Sequence, residues 1–264
     1  MSKIHLFFTL FAFATLAACD GTILDQTVVR GSGVLATEER DVPAFTAIRV
    51  ASSADVILKA GDEQRVVASA DDNVLPYLRT KVEGDTLVVD FRDDDSAGLS
   101  IMDTQHSPQV EVTAPGVVEL STTSSGNITA DSLEGERIVL EISSSGNLSV
   151  DTARGDTVRV KVSSSGDLEV ALLEATDLVV EISSSGDVTL GGDAQSQDIR
   201  LSSSGNYDAA ELRSGEAVVD LSSSGNATVW VTDRLEADTS SSGKVSYYGN
   251  PPTVRGEVTA LGGR

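Results

Sequence analysis

Ile138-Val139-Leu140-Glu141-Ile142-Ser143-Ser144-Ser145-Gly146-Asn147-Leu148-Ser149-Val150 is the stretch whose reading decides the fold. Apolar residues occupy alternate positions on both sides of a Ser-Ser-Ser-Gly-Asn mark, which is the period of an extended strand with one buried face. The mark returns along the chain with its glycines at Gly126, Gly146, Gly166, Gly186, Gly205, Gly225 and Gly243, at steps of 20, 20, 20, 19, 20 and 18 residues. A fixed period near 20 is the signature of a repeat architecture, in which each unit buries its apolar face only against its neighbours.

Columns counted from each glycine show what a unit contains. Of the 35 positions lying two and four residues after a glycine or four, six and eight before it, 32 are apolar. Of the 21 interleaved positions (three after, five and seven before), only Val139, Val179 and Val218 are apolar. Two short strands joined by the Ser-Gly turn therefore make each unit, and helix is excluded. Five residues before successive glycines stand Glu141, Lys161, Glu181, Arg200 and Asp220, alternating in sign. Such a column gains from alternation only if equivalent residues are neighbours, ~4.8 Å apart on stacked parallel coils. An antiparallel meander does not provide this, so the reading is an all-β, parallel β-helix (solenoid) of ~20-residue coils.

The chain has 264 residues and a formal charge of −22. Removing a leader whose only charge is Lys3 takes it to −23. That balance repels nucleic acid and anionic lipid surfaces, and no basic patch offsets it. Residues 1–18 combine Lys3, the apolar run Leu6–Ala18 and small residues before a break, which reads as a secretory signal too short to span a bilayer. Leu16-Ala17-Ala18-Cys19 resembles the lipobox of bacterial lipoproteins, which implies lipidation of Cys19 after cleavage and contact with a membrane through that lipid. Cys19 is the single cysteine, so no disulfide or thiolate metal site is expected. Asp20 resembles an inner-membrane retention signal, a rule that varies among bacteria, so inner and outer membrane both stay open.

Residues 19–40 read as a tether, 41–112 as degenerate N-terminal coils, 113–248 as the regular array and 249–264 as a cap or tail. Ile48, Val50, Val56 and Leu58 repeat the inward pattern around Ala54, which stands in the place of the glycine. Val66–Ala68 and Leu87–Phe91 read as strands, Val74–Leu78 as a turn or short helical excursion, and 93–108 as a long loop. Residues 253–264 are expected to add a last short strand over the open end.

The lipobox leader, the Ser-Ser-Ala-Asp coil, the approach Val112-Thr113-Ala114-Pro115, the ladder of Ser-Gly-Asn/Asp turns and the ending Val245-Ser246-Tyr247-Tyr248-Gly249 together resemble the head GIN domain family of bacterial envelope proteins. That family is also labelled an auto-transporter adhesin. The resemblance covers about residues 41–257. It implies a right-handed β-helix with two sheets meeting at the Ser-Gly turns and an adhesive role, and it brings no catalytic residues.

Little else in the chain suggests chemistry. Asp93-Asp94-Asp95 reads as a solvated loop rather than a calcium site, and His106, alone after the leader is removed, as a surface residue. Gly186–Asp193 matches a calcium-binding nonapeptide once and out of phase, and the Asn-X-Ser/Thr triplets at Asn127, Asn147 and Asn226 fall inside the repeat. The serine rows could present hydroxyls to ice, glycan or mineral; the structural reading is that Ser, Gly and Asn/Asp suit a tight turn, Gly through positive φ. No cofactor, metal or enzymatic activity is expected. Five residues after each glycine, Trp230 and Tyr248 fall in one outward column and are expected to be neighbours, either anchoring a cap or forming a ligand platform. Two function classes follow: a structural or adhesive envelope module contacting an envelope protein or surface, and a glycan-binding or carbohydrate-active β-helix.

Overall fold

Strict alternation gives strands whose inward residues must find cover from an adjacent coil, and the chain stacks accordingly. The computed structural model describes residues 27–91, 99–222, 224–240 and 242–263; Cys19, Asp20 and the Asp93–Asp95 run lie outside them. Along the described chain come β1 (Thr27–Arg30), β2 (Leu35–Glu39), β3 (Ala47–Val50), β4 (Asp55–Lys59), β5 (Arg65–Asp71), a 3-10 turn at Leu75–Tyr77, β6 (Leu78–Glu83), β7 (Thr86–Phe91), β8 (Leu99–Met102), β9 (Gln109–Thr113) and β10 (Glu119–Thr122). The array continues with β11 (Ile128–Glu134), β12 (Arg137–Ile142), β13 (Leu148–Val162), β14 (Leu168–Ile182), β15 (Val188–Leu201), β16 (Tyr207–Leu221), β17 (Asn226–Thr239) and β18 (Lys244–Tyr248), and ends with β19 (Thr253–Arg255) and β20 (Val258–Gly262).

Two stacks share the long strands. One runs β2-β5-β9-β4-β11-β13-β14-β15-β16-β17-β18-β20, and the other β6-β7-β3-β10-β12-β13-β14-β15-β16-β17-β19. From β3 and β4 onward every pairing is parallel, and Glu141, Lys161, Glu181, Arg200 and Asp220 fall in register as the charge column requires. Strand spacings of ~4.8 Å over the longer stack make a rod of about 50 Å. Of the 35 inward positions, all but Val118, Thr239 and Tyr247 are buried. The apolar core is therefore continuous along the axis.

The turn ladder works differently from the expectation. None of the turn-ladder glycines Gly126, Gly146, Gly166, Gly186, Gly205 and Gly225 has a positive φ. They are glycines because coils stack closely: a Cβ on Gly146, Gly166 or Gly225 would sit 2.1 Å from the carbonyl oxygen of the glycine one coil below. Backbone bonds also run from coil to coil here, as in Gly146 N–H to Ser124 O at 3.0 Å and Gly186 N–H to Ser164 O at 3.0 Å. Ser143, Ser163 and Ser222 hydroxyls donate to the carbonyl of the preceding coil rather than to their own turn. The residue after each glycine completes the joint: Asp55, Asn127, Asn147, Asp167, Asp187 and Asn206 each use Oδ1 to accept the N–H of the next member, ending at Asn226. This ladder explains why the position takes Asn or Asp, since either supplies that acceptor.

The N-terminal region departs from the sequence reading in two places. Residues 27–39, read as part of a tether, hold β1, paired in parallel with β8, and β2, paired antiparallel with β5. The stretch 93–108, read as a loop, contains β8. Neither strand alternates cleanly, because β1 and β8 form their own two-stranded sheet outside the periodic core. The coil around Ala54 is the first with the tight turn, and Gly126 approaches the Ala54 carbonyl as later glycines approach one another. On the other side of Ala54 lie β7 and β9, which follow one another through β8 rather than through a tight turn.

Candidate functional site: an outer groove ending at Tyr248

Outward side chains on a regular coil stand level with those above and below, so a break in register deepens the concavity between coils. Three breaks coincide. Between β14 and β15 pairing slips between Val170 and Leu173, between β15 and β16 after Thr189, and between β16 and β17 from Ala209 to Arg213. Gly192 makes one of them possible with φ +114°, and a Cβ there would meet the Leu173 carbonyl at 2.1 Å. Bulges of this kind re-aim side chains and bend a strand.

The result is a groove of about 540 Å³ across successive coils. Its floor is formed by Ala171, Gly191 and Ala210, and its rim by the register column Glu169, Thr189 and Asp208 together with Glu211. Tyr248 lines its far end. No basic side chain lines it, so three carboxylates set its potential. Asp208 is held in place by accepting the Ala210 N–H at 3.0 Å.

Trp230 and Tyr248 are register partners on β17 and β18, both half-buried, as the sequence column anticipated. Below Trp230 the column fails, because the bulge places Arg213 rather than Ala210 opposite it. The tail does not lie back across this outer face. Pro251 is buried, β19 continues the stack along Arg234–Glu236 and β20 along Val245–Tyr248, so the tail is one more coil. Gly249 packs against this edge of the pair: a Cβ there would come within 3.3 Å of Trp230 Cδ1.

A second concavity of about 500 Å³ opens on the neighbouring corner, with Asp177, Asp193, Arg213, Glu216 and Asp233 on its walls. Beneath it the periodic pattern breaks at Gln197, a polar residue in an inward column. Gln197 accepts the Tyr207 hydroxyl at 2.6 Å and donates to Ser214 Oγ at 2.8 Å, which in turn donates to the Trp230 carbonyl at 3.0 Å. All three side chains are buried, and burial pushes the Tyr207 phenol far above its ordinary pKa. Each finds its partner inside the protein, so this network fixes the core and offers nothing to a ligand. The signal was present in sequence: Gln197 is one of three non-apolar residues among the inward positions.

His106 also has a structural role. Its Nδ1 lies 2.7 Å from Asp71 Oδ1, and the fully buried Asp71 carboxylate additionally accepts the N–H groups of Gln105 and His106 at 3.1 and 3.2 Å. Burial alone would raise the Asp71 pKa; hydrogen bonds from His106, Gln105 and Gly33 outweigh it and hold the carboxyl below its usual range. Among the described residues no three His, Cys, Asp or Glu side chains converge as a metal site, and no helix is long and apolar enough to cross a membrane.

Elsewhere the surface charges pair along and across coils. Arg154 bridges Glu134 at 3.3 Å and Glu174 at 3.0 Å. Arg234 reaches Glu216 at 3.6 Å and Glu236 at 2.7 Å, and the hydrogen bond and charge of Arg234 lower the Glu236 pKa. In the column read from sequence, Lys161 reaches Glu141 at 3.5 Å, but Arg200 turns along its own strand to Asp198 at 2.9 Å.

The chain belongs to the head GIN domain family: the family described as "Putative auto-transporter adhesin, head GIN domain" matches residues 44–251. No curated protein matches the chain. Solved structures with the same fold include a protein of Parabacteroides distasonis described as a putative lipid binding protein (21% identity, 90% of this chain and 100% of that one, TM-score 0.79). A second P. distasonis protein, described as a putative adhesin, has 22% identity over 90% of this chain and 98% of its own, with a TM-score of 0.79. A putative adhesin of Parabacteroides merdae has 21% identity over 89% and 97%, with a TM-score of 0.76. At these identities the likeness is one of fold.

Proposed function

We propose that the chain is an adhesive module of the cell envelope, anchored to a membrane through a lipid on Cys19 and binding glycan in the groove that ends at Tyr248. Family membership supports adhesion at the cell surface, and the leader ending in Leu16-Ala17-Ala18-Cys19 supports the anchor. The observation that carries the binding reading is the groove itself, where an aromatic end wall meets three carboxylates, Glu169 on β14 and Asp208 and Glu211 on β16. A tyrosine ring offers an apolar face to the C–H side of a pyranose, and carboxylates accept sugar hydroxyls; a few convergent polar groups around an apolar surface are what small-molecule sites require. Acid on the rim disfavours uronates and phosphosugars and suits neutral or amino sugars. The protein acts by binding, without catalysis.

Trp230, the single tryptophan, is the register partner of Tyr248 and so reports on the groove's aromatic wall. Titration with neutral and amino-sugar envelope oligosaccharides should shift Trp230 emission saturably, and Tyr248→Ala should remove the response while the fold is retained. Equal responses in wild type and Tyr248→Ala, or none with any glycan, would exclude the groove. For the anchor, mass spectrometry of protein taken from membranes should find acyl chains on Cys19, and Cys19→Ser should release the protein or leave it uncleaved. Wild-type protein free of acyl chains would refute it.

A further inference from the structure

The two ends of the solenoid are finished in different ways. At the N-terminal end the outermost strands, β2 and β6, are paired on one side only among the described residues and carry charge along their length: Glu38 and Glu39 on β2, and Arg79, Lys81 and Glu83 on β6. Charged side chains on an edge oppose pairing with another chain. At the C-terminal end, β20 pairs only with β18 among the described residues, and its sequence Val258-Thr259-Ala260-Leu261-Gly262 has no charge. Apart from the half-buried Val258 the strand is exposed, with Leu261 at 45% and the nearby Val254 of β19 at 38%. The β18–β20 ladder slips once, at Leu261 between Ala260 and Gly262, and among the described residues no charged side chain on β20 itself opposes pairing along its free edge.

We infer that two copies of this chain join tail to tail, β20 pairing antiparallel with β20 of the second copy about a two-fold axis. Charge selects the occupant. The whole chain is at −22, so the flanks of two copies repel, whereas residues 244–263 carry only Lys244, Arg255 and Glu257, a net of +1. The C-terminal end is thus where two copies approach with least repulsion. An isologous pair uses the same patch on both chains and closes at two, because each chain spends its one uncharged stack edge and the charged N-terminal edges do not substitute for it. A single coil's end face is small for a protein interface, so the pair is reversible.

β2 and β20 lie at opposite ends of the stack, so tail-to-tail pairing puts the two copies' β2 strands at the far ends of a rod of about 100 Å, doubling the single rod's length. With both N-termini anchored, this geometry joins two facing membranes rather than two molecules in one. That consequence rests on the anchoring proposed above, whereas the pairing does not. The test therefore supplies its own anchor. Every described element lies beyond Asp20, so the chain from Cys19 onward keeps the fold, and its only thiol can be coupled to maleimide-lipid vesicles. At 0.15 M salt, where lateral repulsion is screened to ~8 Å, sedimentation of the uncoupled protein should show a monomer–dimer equilibrium, and coupled vesicles should cluster. The double variant Thr259→Lys/Leu261→Lys, at exposed positions, should be monomeric and leave vesicles dispersed with an unchanged melting temperature; Val218→Lys, on a lateral face, should behave as wild type. A chain that stays monomeric, open-ended polymers, or clustering that survives the double variant each overturns the pairing. Absence of native acylation would leave this result standing and fail only the anchor.

Discussion

The regular array from β10 to β18 and the N-terminal region from β1 to β9 bury the same kind of core by different rules. In the array one translation does everything: the residue 20 positions on is the neighbour, so Gly126, Gly146 and Gly166 meet one another, as do Asn127, Asn147 and Asp167. In the N-terminal region partners are particular. Asp55 meets Asn127 across 72 residues, Asp71 gathers His106 and Gln105, and Arg40 donates to the carbonyls of Leu75 and Leu78 at 3.3 and 3.2 Å. A repeat distributes its stability over many equivalent contacts, whereas the N-terminal region, which caps the first coil, concentrates it in a few that have no substitute.

The largest effect expected from that difference is on the core. Leu140, fully buried in β12, has coils on both sides. Leu140→Asp places a carboxylate in the continuous apolar core at a cost on the order of 5 kcal/mol. Because each coil covers its neighbours, hydrogen exchange should accelerate in β10 and β13 as well as in β12. Leu87→Asp in β7, equally buried, should loosen the N-terminal strands while β15 to β18 keep their protection. Identical, chain-wide loss in both variants would erase the distinction between array and cap.

Next come the glycines, needed in the two regions for unlike reasons. Gly166 has an ordinary φ but no room, with the Gly146 carbonyl 2.1 Å from where a Cβ would be. Gly84, in the β6–β7 hairpin, has φ +67° and open space within 4 Å. Gly166→Ala should force adjacent coils apart and cost about 3 kcal/mol. Gly84→Ala should cost about 1–2 kcal/mol for a left-handed backbone, and Gly84→Asn less, because Asn visits that region. Denaturant melts of the three variants check the ranking. If Asn rescued position 166 as it does position 84, crowding would be the wrong explanation.

A third effect is confined to the cap and depends on pH. The folded-state pKa of Asp71 is depressed, so its contribution to stability is present above the ordinary carboxylate value near 3.8 and is lost as pH falls through the lower, folded value. Acidification into that window should raise hydrogen exchange at residues 31–34 and 104–106, which this carboxylate ties together, before it affects β13 to β16. Asp71→Asn should show that faster exchange already at neutral pH. Acid release beginning in the array instead would mean that the buried carboxylate is not the weak point.

The same contrast accounts for what could be read from sequence. Wherever one residue's partner is its own equivalent a coil away, a column of letters reports a contact; the fold class, the inward face, the charge register and the Trp230–Tyr248 pairing were legible for that reason. The glycine ladder was located but misexplained, since sequence cannot distinguish a glycine chosen for φ from one chosen for space. β1 and β8 leave no such trace because they form a sheet of their own outside the periodic core, and β2 leaves none because it is an almost fully exposed edge strand with no clean alternation. The groove was half visible: Ala171, Gly191 and Ala210 stood in the column beside Tyr248, but the three register slips that hollow it out leave no periodic trace.

The smallest effect concerns exposed charge. Lys161 sits in register between Glu141 and Glu181, its Nζ 3.5 Å from the Glu141 carboxylate, with the two side chains 48% and 36% exposed. Pairs this open contribute ~0.2–1 kcal/mol each. Lys161→Glu removes an attraction and stacks three carboxylates, so it should cost about 1 kcal/mol at low salt and less in 1 M salt, where the screening length falls to ~3 Å. The cap offers the matching test in Arg79, whose Nε donates to Asp90 Oδ1 at 2.8 Å in a two-pronged pair only 28% and 18% exposed. Less solvent around that pair means less screening, and Arg79→Glu leaves a partly buried carboxylate facing another. Its cost should exceed that of Lys161→Glu and change little with salt. Were both reversals equally small and equally salt-sensitive, the N-terminal pairs would be no more specific than the array's columns, and the irregular end would owe its order to apolar burial alone.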